Sequence, residues 1–144
     1  MAKKKIKNKQ RKGLKPGSFL DRASTNLSET EKMMFAKHLT ILLGAGLPLN
    51  ESIETLLSQA KKSMQKILQH LTDSIKQGRQ LSDSMTRYPH VFSPVFISLI
   101  RAGEASGTLQ QNLEFLAEHL EKNHELKRKV ISAITYPAVI LIAA

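Results

Sequence analysis

Four glutamates have the residue type and spacing that best suit a binding role in this chain. Glu114, Glu118, Glu121 and Glu125 follow one another at steps of four, three and four residues. On a helix this spacing places all four carboxylates on one side. Lys122 among them is typical of a solvated polar face, but carboxylate oxygens are also the ligands that hard divalent cations prefer. Two interpretations therefore stay open: a solvated face, or a surface that docks a basic partner or shares a divalent cation.

Residue types and spacings elsewhere exclude several kinds of active site. The chain has no cysteine, which excludes thiol catalysis and thiolate zinc sites. His119 and His124 are separated by about 140° around a helix, so they cannot bind one metal ion as an i, i+4 pair does. Gly44 and Gly46 are not followed by the Gly-Lys-Ser/Thr of a phosphate-binding loop. We predict that the chain is not an enzyme and needs no cofactor apart from the divalent cation considered above.

A second group of interest surrounds Glu104, which lies between Gly103 and Gly107. The glycines match the small-xxx-small spacing of membrane helix pairs, but the charges of Arg101 and Glu104 argue against a lipid-embedded face. We expect Gly103 to allow a close helix approach and Gly107 to adopt a positive φ at a turn. Two interpretations of Arg101 and Glu104 stay open: they form a buried ion pair, or they contact a partner protein.

Helices must position these residues, because apolar residues recur at helical spacing and no strand pattern is present. Ser28 and Glu31 form a capping box that begins the first helix. We expect this helix to end at residues 44–46 and the second to begin between residues 48 and 50. The third has the clearest helical period of the chain and should end in a left-handed cap at Gly78.

Three further helices follow in the second half of the chain. A short helix around residues 81–88 should end before Pro89, because the residue before a proline disfavours helical geometry. Ser93 caps a fifth helix with Pro94 in its first turn, and Thr108 begins the sixth. The residues of the fifth helix expected to face the core are Val95, Phe96, Leu99 and Ile100. Six amphipathic helices with short connections predict an all-α, antiparallel up-and-down bundle.

The sixth helix is expected to continue into fifteen uncharged residues, 130–144. At 1.5 Å per residue they span about 22 Å, less than the roughly 30 Å hydrocarbon core of a membrane. Lys127, Arg128 and Lys129 precede them, and the positive-inside rule places such residues on the cytoplasmic side. We therefore predict that residues 129–144 begin a transmembrane helix that is truncated in this chain. The alternative is a buried C-terminal helix.

The formal net charge of +10 is concentrated at the N-terminus. Eight of the 22 basic residues lie among the first twenty residues, which contain no acidic residue, so the rest of the chain is nearly neutral. A segment so charged and so poor in apolar residues cannot offset its ordering entropy. We predict a basic disordered tail over residues 1–26, followed by a cytoplasmic helical-bundle domain over residues 27–128. The tail is open to three interpretations: a solvated arm, a segment attracted to anionic lipid, or a nucleic-acid-binding arm.

Five runs of residues, taken in order, resemble a single protein family. They are residues 42–49 with Gly44, Gly46 and Pro48; 78–82 beginning at Gly78; 92–96 with Pro94; 101–109 with Arg101, Gly103, Glu104 and Gly107; and Lys129-Val130 followed by Tyr136-Pro137. Together they resemble the inner-membrane platform proteins of type II secretion and type IV pilus systems. This is the GspF or PilC family, which also has a competence-pilus branch. The resemblance covers about residues 31–144.

The resemblance implies that the chain is the first cytoplasmic domain of a repeated, multi-pass protein of the inner membrane. In the family the platform protein is not an enzyme, and it couples a cytoplasmic hexameric ATPase to the assembly of pilin subunits. The implied partners are that ATPase, other inner-membrane components, pilins and the membrane, and we also expect a homo-oligomer.

Pro137 would kink the membrane helix, because a proline removes one backbone hydrogen bond.

The chain departs from the family pattern at two places. Lys37-His38 stands where many members have Arg-Gln, and the basic tail occupies the place of a small N-terminal segment of strand and helix. The alternative function is that of a soluble, basic helical protein that binds nucleic acid through its tail. That alternative requires the apolar end to fold back into the core. The platform interpretation, in contrast, predicts that the chain has no nucleic-acid partner.

Overall fold

Six helices make up the regular secondary structure of residues 27–143, the part of the chain that this computed structural model describes. They are α1 (Glu29–Gly44), α2 (Leu49–Gln59), α3 (Lys62–Lys76), α4 (Leu81–Met85), α5 (Pro94–Ser106) and α6 (Leu109–Ala143). No strand occurs within the described residues, which confirms the predicted all-α class. The predicted basic tail, residues 1–26, lies outside them.

The helix ends follow the local signals in the sequence. At the start of α1, Ser28 Oγ accepts the N–H of Glu31 at 3.2 Å and Glu31 Oε2 accepts the N–H of Ser28 at 2.9 Å, which confirms the capping box. Ser93 caps α5 by accepting the N–H of Phe96 at 3.2 Å. The φ angle is 86° at Gly46, 79° at Gly78 and 73° at Gly107. Glycine suits these turns because side chains disfavour the left-handed region.

Helix α4 is shorter than the sequence predicted. It ends at Met85, whereas the predicted helix extends to residue 88. Pro89 disfavours helical geometry at Tyr88, and the C=O of Tyr88 instead accepts the N–H of Phe92 at 2.9 Å. The chain after α4 therefore forms a turn that brings the fully buried Phe92 into the core.

The core contains apolar side chains from all six helices. The Phe92 ring centre lies 5.9 Å from that of Phe35 in α1 and 5.2 Å from that of Phe96 in α5. The prediction that Val95 faces the core is wrong, since Val95 is 65% exposed and Ile97 is buried instead. Neighbouring helical positions lie about 100° apart, and the packing of α5 against α4 and α6 selects the Ile97 side of Phe96.

The first and last helices of the bundle are neighbours and run antiparallel. Lys37 Nζ in α1 lies 2.7 Å from Glu121 Oε1 in α6. Further along α1, Gly44 lies against Gln110, which comes earlier in α6. Moving forward along α1 therefore means moving backward along α6. The other extensive contacts join each helix to the next in chain order, so α1 to α6 close into a ring around the core.

Helix α6 has a packed half and a projecting half. Leu113 and Leu116 are buried in the first half. Every described side chain beyond His124, in residues 125–135 and 139–143, is exposed. The described side chains of the apolar end therefore lie outside the core, whereas the nucleic-acid alternative requires this end to fold back into the core. None of the helices within residues 27–143 has both the length and the apolar character that crossing a membrane demands.

Candidate interaction surface

The carboxylate of Glu104 in α5 caps the neighbouring helix α4. Its Oε1 accepts the N–H of Leu81 at 2.5 Å, and its Oε2 accepts the N–H of Ser82 at 3.1 Å. The first N–H groups of a helix have no partner within that helix, and the N-cap residue Gln80 offers α4 no side-chain hydrogen bond. Glu104 therefore holds the start of α4 against the end of α5.

Arg101 and Glu104 do not form the buried ion pair that the sequence left open. Arg101 Nη2 lies 2.9 Å from Asp83 Oδ1 in α4, and both of these side chains are more than half exposed. An ion pair so exposed stabilises a fold by about 1 kcal/mol or less. The two charged residues of the motif therefore attach α5 to α4 at separate points. Arg101 binds a side chain of α4, whereas Glu104 binds backbone N–H groups of α4.

Gly103 and Gly107 shape the turn between α5 and α6. The N–H of Thr108 donates to the C=O of Gly103 at 2.9 Å, which closes the turn around the left-handed Gly107. The side-chain amide of Asn112 donates to the C=O of Leu99 at 2.8 Å, a second link between the two helices. Because Gly103 has no side chain, α6 passes directly against the α5 backbone at this point.

Residues from three of the five motif runs, 42–49, 78–82 and 101–109, meet at one end of the bundle. Leu81 at the start of α4 contacts Glu104 near the end of α5, and Gln110 near the start of α6 lies against Gly44 at the end of α1. Since successive helices are antiparallel, the loops after α1, α3 and α5 all lie at this end. We call these loops, residues 44–48, 77–80 and 106–108, the distal loop surface.

The distal loop surface is largely exposed and carries a basic side chain on a well-defined backbone. The positions of Gly46, Gly78 and Gly107 face open space, where no other atom of the described residues stands close. Arg79 is exposed, and its backbone N–H donates to the C=O of Ser74 at 3.1 Å, which ties the loop to the end of α3. Exposed loops on a rigid scaffold, and arginine in particular, are typical of contacts with partner proteins.

The row of four glutamates on α6 is not assembled into a metal site. Glu121 binds Lys37 of α1, and Glu118 lies 4.0 Å from Lys122 along the same helix. The other two glutamates are exposed. Among residues 27–143, no group of three or more His, Asp or Glu side chains is placed to hold a metal ion. The row therefore joins α6 to α1 through Glu121 and otherwise faces solvent.

The remaining predicted site residues are distributed over several elements. The basic cluster 127–129 is exposed where α6 leaves the bundle, at the end opposite the distal loop surface. Pro48 is the N-cap of α2, and Pro94 is the first residue of α5. Residues 136 and 137 belong to α6, but the side chains of Tyr136 and Pro137 lie outside the described part.

Comparison with known proteins identifies the family. A model of one protein family, described as Type II secretion system (T2SS), protein F, matches residues 35–144. The chain belongs to this family. It is 38% identical to the Type II secretion system protein F of Xanthomonas campestris pv. campestris over 111 residues, which are 76% of this chain and 27% of that protein. The resemblance that the motif runs predicted is confirmed.

Relatives named for pilus assembly are similar to the chain at nearly the same level. The chain is 35% identical to the Type IV pilus assembly protein PilC of Myxococcus xanthus over 113 residues, 78% of this chain and 27% of that protein. It is also 35% identical to the Type IV pilus assembly protein PilC of Thermus thermophilus over 112 residues, 77% of this chain and 27% of that protein. The chain thus spans about a quarter of the length of these relatives.

Three residues at this end of the bundle join helices without any recognisable signal in the sequence. Asp83 pairs with Arg101, Asn112 binds the C=O of Leu99, and Gln110 lies against Gly44. Each of them acts between two helices. Their roles become visible only when the helix pairing is known, because a polar residue near a helix end is otherwise indistinguishable from a solvated one.

Proposed function

We propose that the chain is the first cytoplasmic domain of an inner-membrane platform protein for type II secretion or type IV pilus assembly. In this proposal the bundle docks on a cytoplasmic hexameric ATPase and relays its motion to the membrane part of the protein, where pilin or pseudopilin subunits assemble. Membership of the family and the names of the relatives support the assignment to these systems. The proposed role is that of a non-enzymatic scaffold.

The observation that carries the proposal is the placement of two different surfaces at opposite ends of the bundle. Beyond His124, α6 presents the basic cluster 127–129 and then exposed apolar side chains such as Ile134 and Ile142. Each basic residue near an anionic leaflet contributes about 1 kcal/mol to membrane attraction, and a run of exposed apolar residues marks an interaction site. We place residues 129–143 at the start of a membrane segment, with the distal loop surface facing the cytoplasm.

Because α6 is continuous, it can transmit motion from the bundle to the proposed membrane segment. Residues 109–143 form one helix, whose first half is packed against α1 and α5. The Lys37–Glu121 ion pair and the buried Leu113 and Leu116 attach that half to the bundle. Packed helices shift as units because close-packed interiors resist deformation. A displacement of the bundle by the ATPase would therefore reach the projecting half of α6 directly.

Binding to the hexameric ATPase of the same system tests the proposal. We expect Arg79→Glu to weaken the binding of the full chain, held in nanodiscs, by about tenfold or more, because it reverses the charge of the distal loop surface. The matched control is Lys62→Glu, the same reversal at an exposed residue of the opposite end. Biolayer interferometry measures both affinities. Equal losses for the two variants, or no binding by the unmodified chain, would contradict the proposal.

A further inference from the structure

A groove opens between α1, α2 and α3 at the end of the bundle opposite the distal loop surface. It has a volume of about 540 Å³, and its apolar lining includes Met34, Phe35, Leu56, Ala60, Met64 and Leu68. A smaller cavity of about 160 Å³ adjoins it, and His38 and Gln59 line both. The volume of the groove is typical of a binding pocket, and the methionines in its wall adapt readily to what they contact.

Helix α1 exposes apolar side chains along the groove. One side of this helix is buried through Phe35, Ala36 and Leu39. The side that lines the groove is mixed, because polar residues accompany two exposed apolar ones: Met34 is 40% exposed and Ile41 is 65% exposed. Clustered apolar side chains that face solvent mark an interaction site. Within residues 27–143 no segment covers these two side chains, so a segment that docks in the groove would bury them.

We propose that residues 18–21 of the same chain occupy this groove. The tail joins the described part of the chain at Leu27, which is 5% exposed in the core, and the next residue, Ser28, lines the groove. Any path of the tail therefore starts at the rim of the groove. Phe19 and Leu20 form the only adjacent pair of bulky apolar residues in residues 1–26, and they supply the side chains that an apolar groove would bury.

The length of the connection fits this occupant. Phe19 precedes Leu27 by eight residues, so an extended chain carries it at most about 29 Å away. The groove follows α1 from Ser28 to Ile41, about 20 Å along the helix axis. Phe19 can therefore reach any point of the groove without displacing Leu27 from the core. A tethered segment also binds at high effective concentration, which a separate partner lacks.

Charge complementarity points to the same segment. Asp21 is the only acidic residue among residues 1–26, and it directly follows the apolar pair. Lys61 lies in the groove wall, where a carboxylate beside the apolar pair can meet it. The other charged group of the wall is Glu31, which accepts a hydrogen bond from the Ser63 hydroxyl at 2.7 Å. This hydrogen bond lowers the pKa of Glu31, and the charge of Lys61 also helps to lower it, so a docked carboxylate would be a second acidic neighbour of Lys61. Docking would keep the basic residues of the tail at the end of the bundle where α6 projects.

Paramagnetic broadening in the full chain tests this proposal. Because the chain has no cysteine, Gln59→Cys provides a single attachment point for a nitroxide at the groove. In zwitterionic micelles, we expect this label to remove the amide NMR signals of residues 18–21 and to leave those of residues 3–9. A label at Gln111→Cys, an exposed residue close to the distal loop surface, serves as the matched control and should spare residues 18–21.

A groove variant completes the experiment. Met34→Glu places a carboxylate in the apolar wall, so it should restore the signals of residues 18–21 in the Gln59→Cys chain. Val95→Glu, the same type of change at an exposed residue of α5, should not restore them. The proposal is overturned if the groove label spares residues 18–21, if both labels act equally, or if Met34→Glu changes nothing. In a mixture of spin-labelled and unlabelled chains, the label of one chain can broaden signals of another. If residues 18–21 are broadened only in this way, the groove binds a second chain, and the proposal is also overturned.

Discussion

Gly103 in α5 lies so close to α6 that a Cβ on residue 103 would stand 2.8 Å from the Cα of Leu109. This separation is shorter than van der Waals contact, and the neighbouring atom belongs to the backbone, which cannot rotate away as a side chain can. The two helices keep their spacing only because residue 103 has no side chain.

We therefore expect Gly103→Ala to destabilise the bundle by about 1 to 3 kcal/mol, the usual cost of overpacking a well-packed contact. Urea unfolding followed by circular dichroism measures the free energy of unfolding. The matched control is Gly44→Ala, where the new Cβ would meet the Nε2 of Gln110 at 2.9 Å, the far end of a flexible side chain. That variant should be neutral or slightly stabilising, because alanine favours helix more than glycine by about 1 kcal/mol. Similar losses in both variants would refute this account.

Replacing Glu104 by alanine removes the cap of α4. The N–H groups of Leu81 and Ser82 lose a charged acceptor, and Leu81 and Ser82 are both buried. We expect a loss of about 1 to 3 kcal/mol in the free energy of unfolding. Arg101→Ala is the comparison, because it removes only an exposed ion pair and should cost about 1 kcal/mol or less. The order of the two losses is the test, and the reverse order would show that Glu104 is not the main link between α4 and α5.

Deleting residues 129–144 should leave the stability of the bundle unchanged. The described side chains of this segment, in residues 129–135 and 139–143, are exposed and contribute nothing to the core. Changes away from packed or capped positions usually alter the free energy of unfolding by about 0.5 kcal/mol or less. Urea unfolding of the shortened and full chains under the same conditions measures the difference. A large loss in the shortened chain would mean that the apolar end is part of the core after all.

The stability of the bundle should fall as the pH decreases through the range in which His70 titrates. Burial, and then the positive charges of Arg87 and Arg79, lower the pKa of His70 below its ordinary value of 6.5, while Asp73 acts in the opposite direction. The unfolded chain then binds the proton at a higher pH than the folded chain does. The stabilisation is complete above pH 6.5 and is lost progressively as the pH falls through the pKa of the folded state.

His70→Gln provides the check on this pH dependence. The His70 ring lies edge-on to Tyr88, with ring centres 5.5 Å apart, and its buried Nδ1 has no hydrogen-bond partner among the described residues. The variant should lose part of the decline in unfolding free energy below pH 6.5, and NMR titration of the ring in the unmodified chain should give a pKa below 6.5. A ring that titrates above 6.5 would reverse the predicted sign.

Local signals predicted most helix ends, because each depends on residues only a few positions apart. The capping box of Ser28 and Glu31 and the left-handed Gly78 belong to this class. The face of α5 was predicted less well, since Val95 and Ile97 lie on either side of Phe96 and only the neighbouring helices decide which of them is buried. The end of α4 was also misplaced, because it depends on how the chain after Met85 turns into the core.

The helical class, the helix caps and the family follow from the sequence, since helical periodicity, capping residues and ordered motif runs are all contained in short stretches of chain. Three features follow only from the packing of whole helices. Lys37 meets Glu121 across 84 residues, Glu104 caps α4 instead of pairing with Arg101, and the distal loop surface lies at the end opposite the projecting half of α6. A helix periodicity specifies which face is apolar, whereas the shapes and charges of all the helices together specify which faces meet.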